Sequence, residues 1–83
     1  MDSYGHQFNA AVAAELRAER AARQLTIRDV VSRSGLPEIT VIRYLNDQRA
    51  IPVPALYAIS QALGVEPGAM LDRAAIRVKA QQG

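Results

Sequence analysis

A chain of 83 residues makes one small domain, and with 49% apolar but only 5% aromatic residues and no cysteine it excludes disulfide and thiolate chemistry and points to packed helices around an aliphatic core. The formal net charge is only +2, but the charge is unevenly spread: Arg17, Arg20, Arg23, Arg28, Arg33, Arg43 and Arg49 outnumber the acids of the middle, and Arg73, Arg77 and Lys79 make a basic tail. No apolar run is long enough for a membrane span and no secretory pattern opens the chain, so a soluble, cytoplasmic protein without membrane attachment is expected.

Five helices can be read in order. The first is expected from about Phe8 to Arg23, an alanine-rich stretch with Phe8, Val12 and Leu16 on one face. Thr26 opens the second, and Asp29 three residues on completes a capping-box pattern. Val30 and Val31 are its buried pair, and Gly35 suits a left-handed end. The third starts near Pro37, whose fixed φ suits a first turn, and turns Val41, Tyr44 and Leu45 inward before ending near Asn46. After a loop over 47–52, Pro54 lies in the first turn of a fourth helix with Leu56, Ile59 and Leu63 inward and Gly64 as its cap. Pro67 begins a fifth helix with Met70 and Leu71 inward, continuing through Ile76 and Val78 to about Ala80, after which the chain should fray.

The informative spacing lies between the second and third helices. Two short helices joined through Gly35-Leu36-Pro37 have the geometry of a helix-turn-helix, whose second helix enters the major groove N-terminus first. The glycine permits the sharp turn, and Leu36 fills the angle between the helices.

The run Leu16-Arg17-x-x-Arg20, then Leu25-Thr26-x-x-Asp29-Val30-Val31-x-x-Ser34-Gly35-Leu36, then Thr40-Val41-x-Arg43-Tyr44-Leu45-Asn46, then Pro52 and Leu63-Gly64-Val65 with Leu71, resembles the lambda-repressor-like, Cro-type (XRE) family over about residues 8–72. The resemblance implies an all-α, five-helix helix-turn-helix domain at 8–72, with 73–83 as a C-terminal extension carrying dimerisation residues. It implies a sequence-specific transcription regulator, a repressor, that binds a double-stranded DNA operator as a homodimer. A rival on the same fold is an antitoxin or phage regulatory subunit that turns Ile39 and Ile42 toward a partner protein.

Carried over residue by residue, the resemblance places Thr26, Ile27 and Arg28 at a phosphate by the second helix's N-terminus. Pro37 opens the recognition helix beside a phosphate, and Glu38, Ile39, Thr40 and Arg43 face the bases. Asn46, Gln48 and Arg49 lie along the backbone across the groove, and Arg17, Arg20 and Arg23 add charge from the first helix. Leu45 stands where relatives often carry a glutamate that pairs with the arginine at Arg20, so Arg20 needs another acceptor or is free for DNA.

The chemistry of each side chain has a plainer alternative. Arg43 can fork onto guanine N7 and O6, or pair with Asp47 one turn on. Glu38 can accept from cytosine N4, or complement the helix dipole. Thr40 can meet a thymine methyl or a phosphate, and Ile39 a thymine methyl or the core. Arg33 reads as a solvated charge and Tyr44 as core. Leu71, Ile76 and Val78 can pack on a twofold mate or cover the domain's own core; a dimer would set two recognition helices roughly 34 Å apart. With no cysteine, one histidine (His6) and no phosphate-binding glycine loop, neither catalysis nor a metal or cofactor is expected.

Overall fold

Thr26 and Asp29 form a complete capping box: the Thr26 N–H donates to the Asp29 carboxylate at 2.8 Å, and the Asp29 N–H donates to the Thr26 hydroxyl at 3.0 Å. This exchange satisfies two backbone donors that a helix start would otherwise leave open. The computed structural model describes residues 3–82. Among them lie five helices and no strand: α1 Ser3–Ala22, α2 Ile27–Ser34, α3 Glu38–Leu45, α4 Val53–Leu63 and α5 Pro67–Gln82. Gly35 (φ 76°) and Gly64 (φ 79°) end α2 and α4 in the left-handed region, as their positions in the sequence lead one to expect. Two residues with side chains take the same conformation: Gln24 (φ 57°) between α1 and α2, and Asp47 (φ 56°) just past α3.

Leu16, Val30, Val41, Leu45, Ile59, Leu63, Met70 and Val78 are closed to solvent and draw all five helices onto one aliphatic core. Each such side chain contributes about 1.5–3 kcal/mol by leaving water. α2 packs on α3 and α4, and α3 also rests on α1; α5 packs on α1 and α4 and touches neither α2 nor α3. No helix among the described residues is long and apolar enough to cross a membrane.

The first and last helices run further than the sequence leads one to expect. α1 begins at Ser3, five residues before the expected Phe8, and Tyr4 stacks on Phe8 with ring centroids 6.1 Å apart. α5 runs antiparallel to α1 and is tied along it: Arg73 to Glu19 (2.8 Å), Arg77 to Glu15 (2.7 Å) and Gln82 to Gln7 (3.4 Å). The boundary expected at 72/73 therefore falls inside one continuous helix, and residues 81 and 82, expected to fray, are its last turn. Val78 is only 1% exposed, so it belongs to the monomer's core and cannot meet a twofold mate; Leu71 and Ile76 remain on the surface.

Candidate nucleic-acid interface

The turn between α2 and α3 is fixed from both sides. The Gly35 N–H donates to the Val31 carbonyl at 3.0 Å, and the Leu36 N–H donates to the Ser34 hydroxyl at 3.2 Å. Leu36 is half-buried against the core, which sets the angle between the two helices. Pro37 is the N-cap of α3 and brings no side-chain acceptor to the helix start. The open donors there favour negative charge, and Glu38 in the first turn supplies one.

Because Val41, Tyr44 and Leu45 turn inward, the opposite side of α3 is fixed by helical spacing. It presents Ile39, Arg43 and, just past the last turn, Asn46, all exposed, with Thr40 and Ile42 half-buried at the flanks; Glu38 is exposed because it opens the helix. Thr26, Arg28 and Pro37 are exposed at the two helix starts, and Gln48 and Arg49 on the loop after α3. Of the residues expected on that surface, Ile27 and Thr40 are thus half-buried, and the others at the two helix starts, on α3 and on the loop are exposed.

The arginines sort into two groups. Arg17 donates from Nη1 to the carbonyl of Leu45 at the end of α3, Arg20 to Leu25 (2.6 Å) and Arg33 to Ala62 near the end of α4 (3.3 Å). Arg23, Arg73 and Arg77 pair with Glu19 and Glu15. Among the described residues, the side chains of Arg28, Arg43 and Arg49 have no ion-pair or hydrogen-bond partner; the one other such cationic side chain is that of Lys79 in α5. Arg33, expected to be merely solvated, instead reaches across to α4. Arg20 finds its substitute acceptor in a backbone carbonyl, although its Nε stays buried without a partner.

The Arg43–Asp47 pair does not form, and the Asp47 carboxylate meets another residue. Asn9 in α1, a residue the sequence reading passed over, donates from Nδ2 to the Asp47 carboxylate (2.7 Å) and to the Arg49 carbonyl (3.3 Å), and its Oδ1 accepts the Ile51 N–H (2.8 Å). One amide thereby fastens the loop after α3 to α1. Its signal was present: Asn9 is a polar residue in the otherwise apolar stretch from Phe8 to Val12. A polar cleft of about 610 Å³, lined in part by His6, Asn9, Gln48 and Arg49, opens beside this loop.

Two carboxylates are held below their ordinary range. Hydrogen bonds from Arg23 and Arg73 lower the pKa of Glu19. The Thr26 backbone N–H, and then its hydroxyl, lower that of Asp29. Both are therefore anionic at neutral pH and secure the start of α2 and the α1–α5 contact.

Compared with family models, residues 11–74, most of the chain, match a helix-turn-helix domain. No curated protein and no solved structure matches the chain.

Proposed function

The chain belongs to the helix-turn-helix domain family, and on that premise we propose that it is a sequence-specific transcription regulator of the lambda-repressor-like kind, binding a double-stranded DNA operator with α3 in the major groove. The observation that carries the reading is the sorting of the arginines. Folding engages every arginine outside α2, α3 and the following loop, and leaves Arg28, Arg43 and Arg49 within that unit without a partner. Unpaired arginines gathered in one helix-turn-helix unit are what a polyanion requires.

Arg43 reads guanine from the middle of α3, with Glu38, Ile39 and Thr40 contacting neighbouring bases. Arg28, Thr26, Pro37, Asn46, Gln48 and Arg49 position the backbone. Arg17 and Arg20 act instead as positioning residues, since their guanidinium groups already hold the end of α3 and the turn before α2. Two copies on a palindromic operator repress by occupying it, in the cytoplasm at the nucleoid.

Selection of genomic fragments with the purified protein, followed by salt titration on the enriched site, tests this. Log affinity should fall linearly with log salt, by about 0.9 per phosphate neutralised. Failure to enrich any fragment, or a flat salt response, refutes the reading. One observation favours the rival protein-binding role: Ile39 is 54% exposed in the first turn of α3. Under that reading Ile39→Asp abolishes capture of a protein partner and leaves DNA affinity unchanged.

A further inference from the structure

Asn9 stands on the inward face of α1. Val12, Ala13 and Leu16, three, four and seven residues on, are all buried, and helical spacing puts Asn9 in line with them. Leucine would suit that position by packing and is the better helix former. Asn9 instead turns both ends of its amide to the loop after α3: Nδ2 donates to the Asp47 carboxylate (2.7 Å) and the Arg49 carbonyl (3.3 Å), and Oδ1 accepts the Ile51 N–H (2.8 Å). The first part of that loop is held by α3 itself, whose carbonyls at Tyr44 and Arg43 accept the N–H groups of Asp47 (3.2 Å) and Gln48 (2.9 Å). From Arg49 to Ile51, among the described residues, the hydrogen bonds that fix the backbone are those to Asn9.

We propose that Asn9 is a positioning residue for DNA binding, which sets the loop in the shape in which Arg49 meets a backbone phosphate. The inference rests on the proposed DNA reading and adds a residue of α1 to it. Asn9 ties Arg49 by its carbonyl, while the Arg49 side chain is exposed and without a partner. The anchor therefore holds the backbone and leaves the guanidinium available. Asp47, two residues before, takes the left-handed conformation (φ 56°), which costs energy for a residue with a side chain, and the bond from Asn9 to its carboxylate supports it there. That carboxylate bonds to Asn9 and forms no ion pair with Arg49. A loop already fixed in this way loses less conformational freedom on binding than one that the DNA must order.

The salt dependence of DNA binding separates this role from a merely structural one. A neutral amide displaces no counterions, so Asn9 can change the salt slope only through a charged residue. Arg49→Ala should reduce the slope by about one. Asn9→Ala, checked by thermal melt to be folded at the assay temperature, should reduce it by the same amount, and the double variant by about one rather than two. In the free protein, hydrogen exchange should show the Ile51 amide losing its protection in Asn9→Ala. An unchanged slope in Asn9→Ala, a fall of about two in the double variant, or an Ile51 amide that stays protected overturns the proposal. If Asn9→Ala does not fold, Asn9→Asp takes its place: it keeps an acceptor for the Ile51 N–H and sets a second carboxylate against that of Asp47. Asp47→Asn should then raise DNA affinity by at least about twofold more in the Asn9→Asp background than in the wild type, and equal effects in the two backgrounds overturn the proposal. A wild-type chain that binds no DNA removes the proposed function and this role with it; specific binding by the wild type with an unchanged slope in Asn9→Ala removes the role alone.

Discussion

The guanidinium of Arg17 in α1 donates to the carbonyl of Leu45, the last residue of α3, across 28 positions of sequence. A helix leaves its final carbonyls without partners, and a cation there satisfies one of them and complements the dipole. The end of the recognition helix is thus set by a side chain of another helix.

Arg17→Ala should therefore destabilise the fold by about 1 kcal/mol, below the roughly 1.5–3 kcal/mol of a charged hydrogen bond because the group is partly solvated. For a domain this size that is a fall of about 4–8 °C in Tm. Specific and non-specific DNA affinity should fall together, as measured by titration on operator and scrambled duplexes; a loss confined to the operator would mean that Arg17 touches a base.

Arg43 and Arg28 should part company. Arg43→Ala is expected to cost about 1–3 kcal/mol on the operator, relax preference at one base pair, and spare non-specific binding. Arg28→Ala is expected to weaken both and to reduce the salt slope by about one. Equal losses from the two variants on both DNAs would contradict the roles assigned to them.

Gln24→Gly should raise stability by up to about 1 kcal/mol, because glycine takes the left-handed conformation that Gln24 adopts at φ 57° without steric cost. The gain is offset in part by the greater freedom of glycine in the unfolded chain. Asp47→Gly should gain less or lose, since aspartate tolerates this conformation and its carboxylate accepts from Asn9. Thermal melts of the two variants rank them.

Acid should loosen the α1–α5 contact and the start of α2. Glu19 and Asp29 both sit below their ordinary values of 4.5 and 3.8. A carboxylate lowered in the folded state contributes stability above its ordinary value and loses it as pH falls through the folded value. Tm should be level well above pH 4.5 and decline below it, with Glu19→Gln flattening the upper part of that decline and Asp29→Asn the lower. A Tm that rises on acidification through this range would contradict both assignments.

The middle of the fold was legible because its signals are local. Thr26 with Asp29, Gly35, Gly64 and Pro67 mark helix ends within a few residues, and the inward positions of α2, α3 and α4 follow helical spacing. What was not legible depends on partners far away in sequence. Nothing near Arg73 or Arg77 shows that Glu19 and Glu15 wait 54 and 62 positions earlier, so the helix through the tail was expected but its ion pairs to α1 were not. Nothing marks a backbone carbonyl as the target of Arg17, Arg20 or Arg33, since every residue has one. Asn9 was missed because its three bonds all reach a loop some 40 residues on.

The α1–α5 ion pairs also shape the field around the molecule. They cancel Arg73 and Arg77 against Glu19 and Glu15, so the tail's basic excess, obvious in the sequence, is largely silent in the folded domain. The uncompensated arginines lie in α2, α3 and the loop after it, while Glu66 and Asp72 stand without ion-pair partners at the start of α5, a helix that touches neither α2 nor α3. Asp29, Glu38 and Asp47 lie in that same unit without ion-pair partners, and Lys79 in α5 is likewise unpaired, so what folding leaves is a local basic spot at Arg28, Arg43 and Arg49 and not a basic tail.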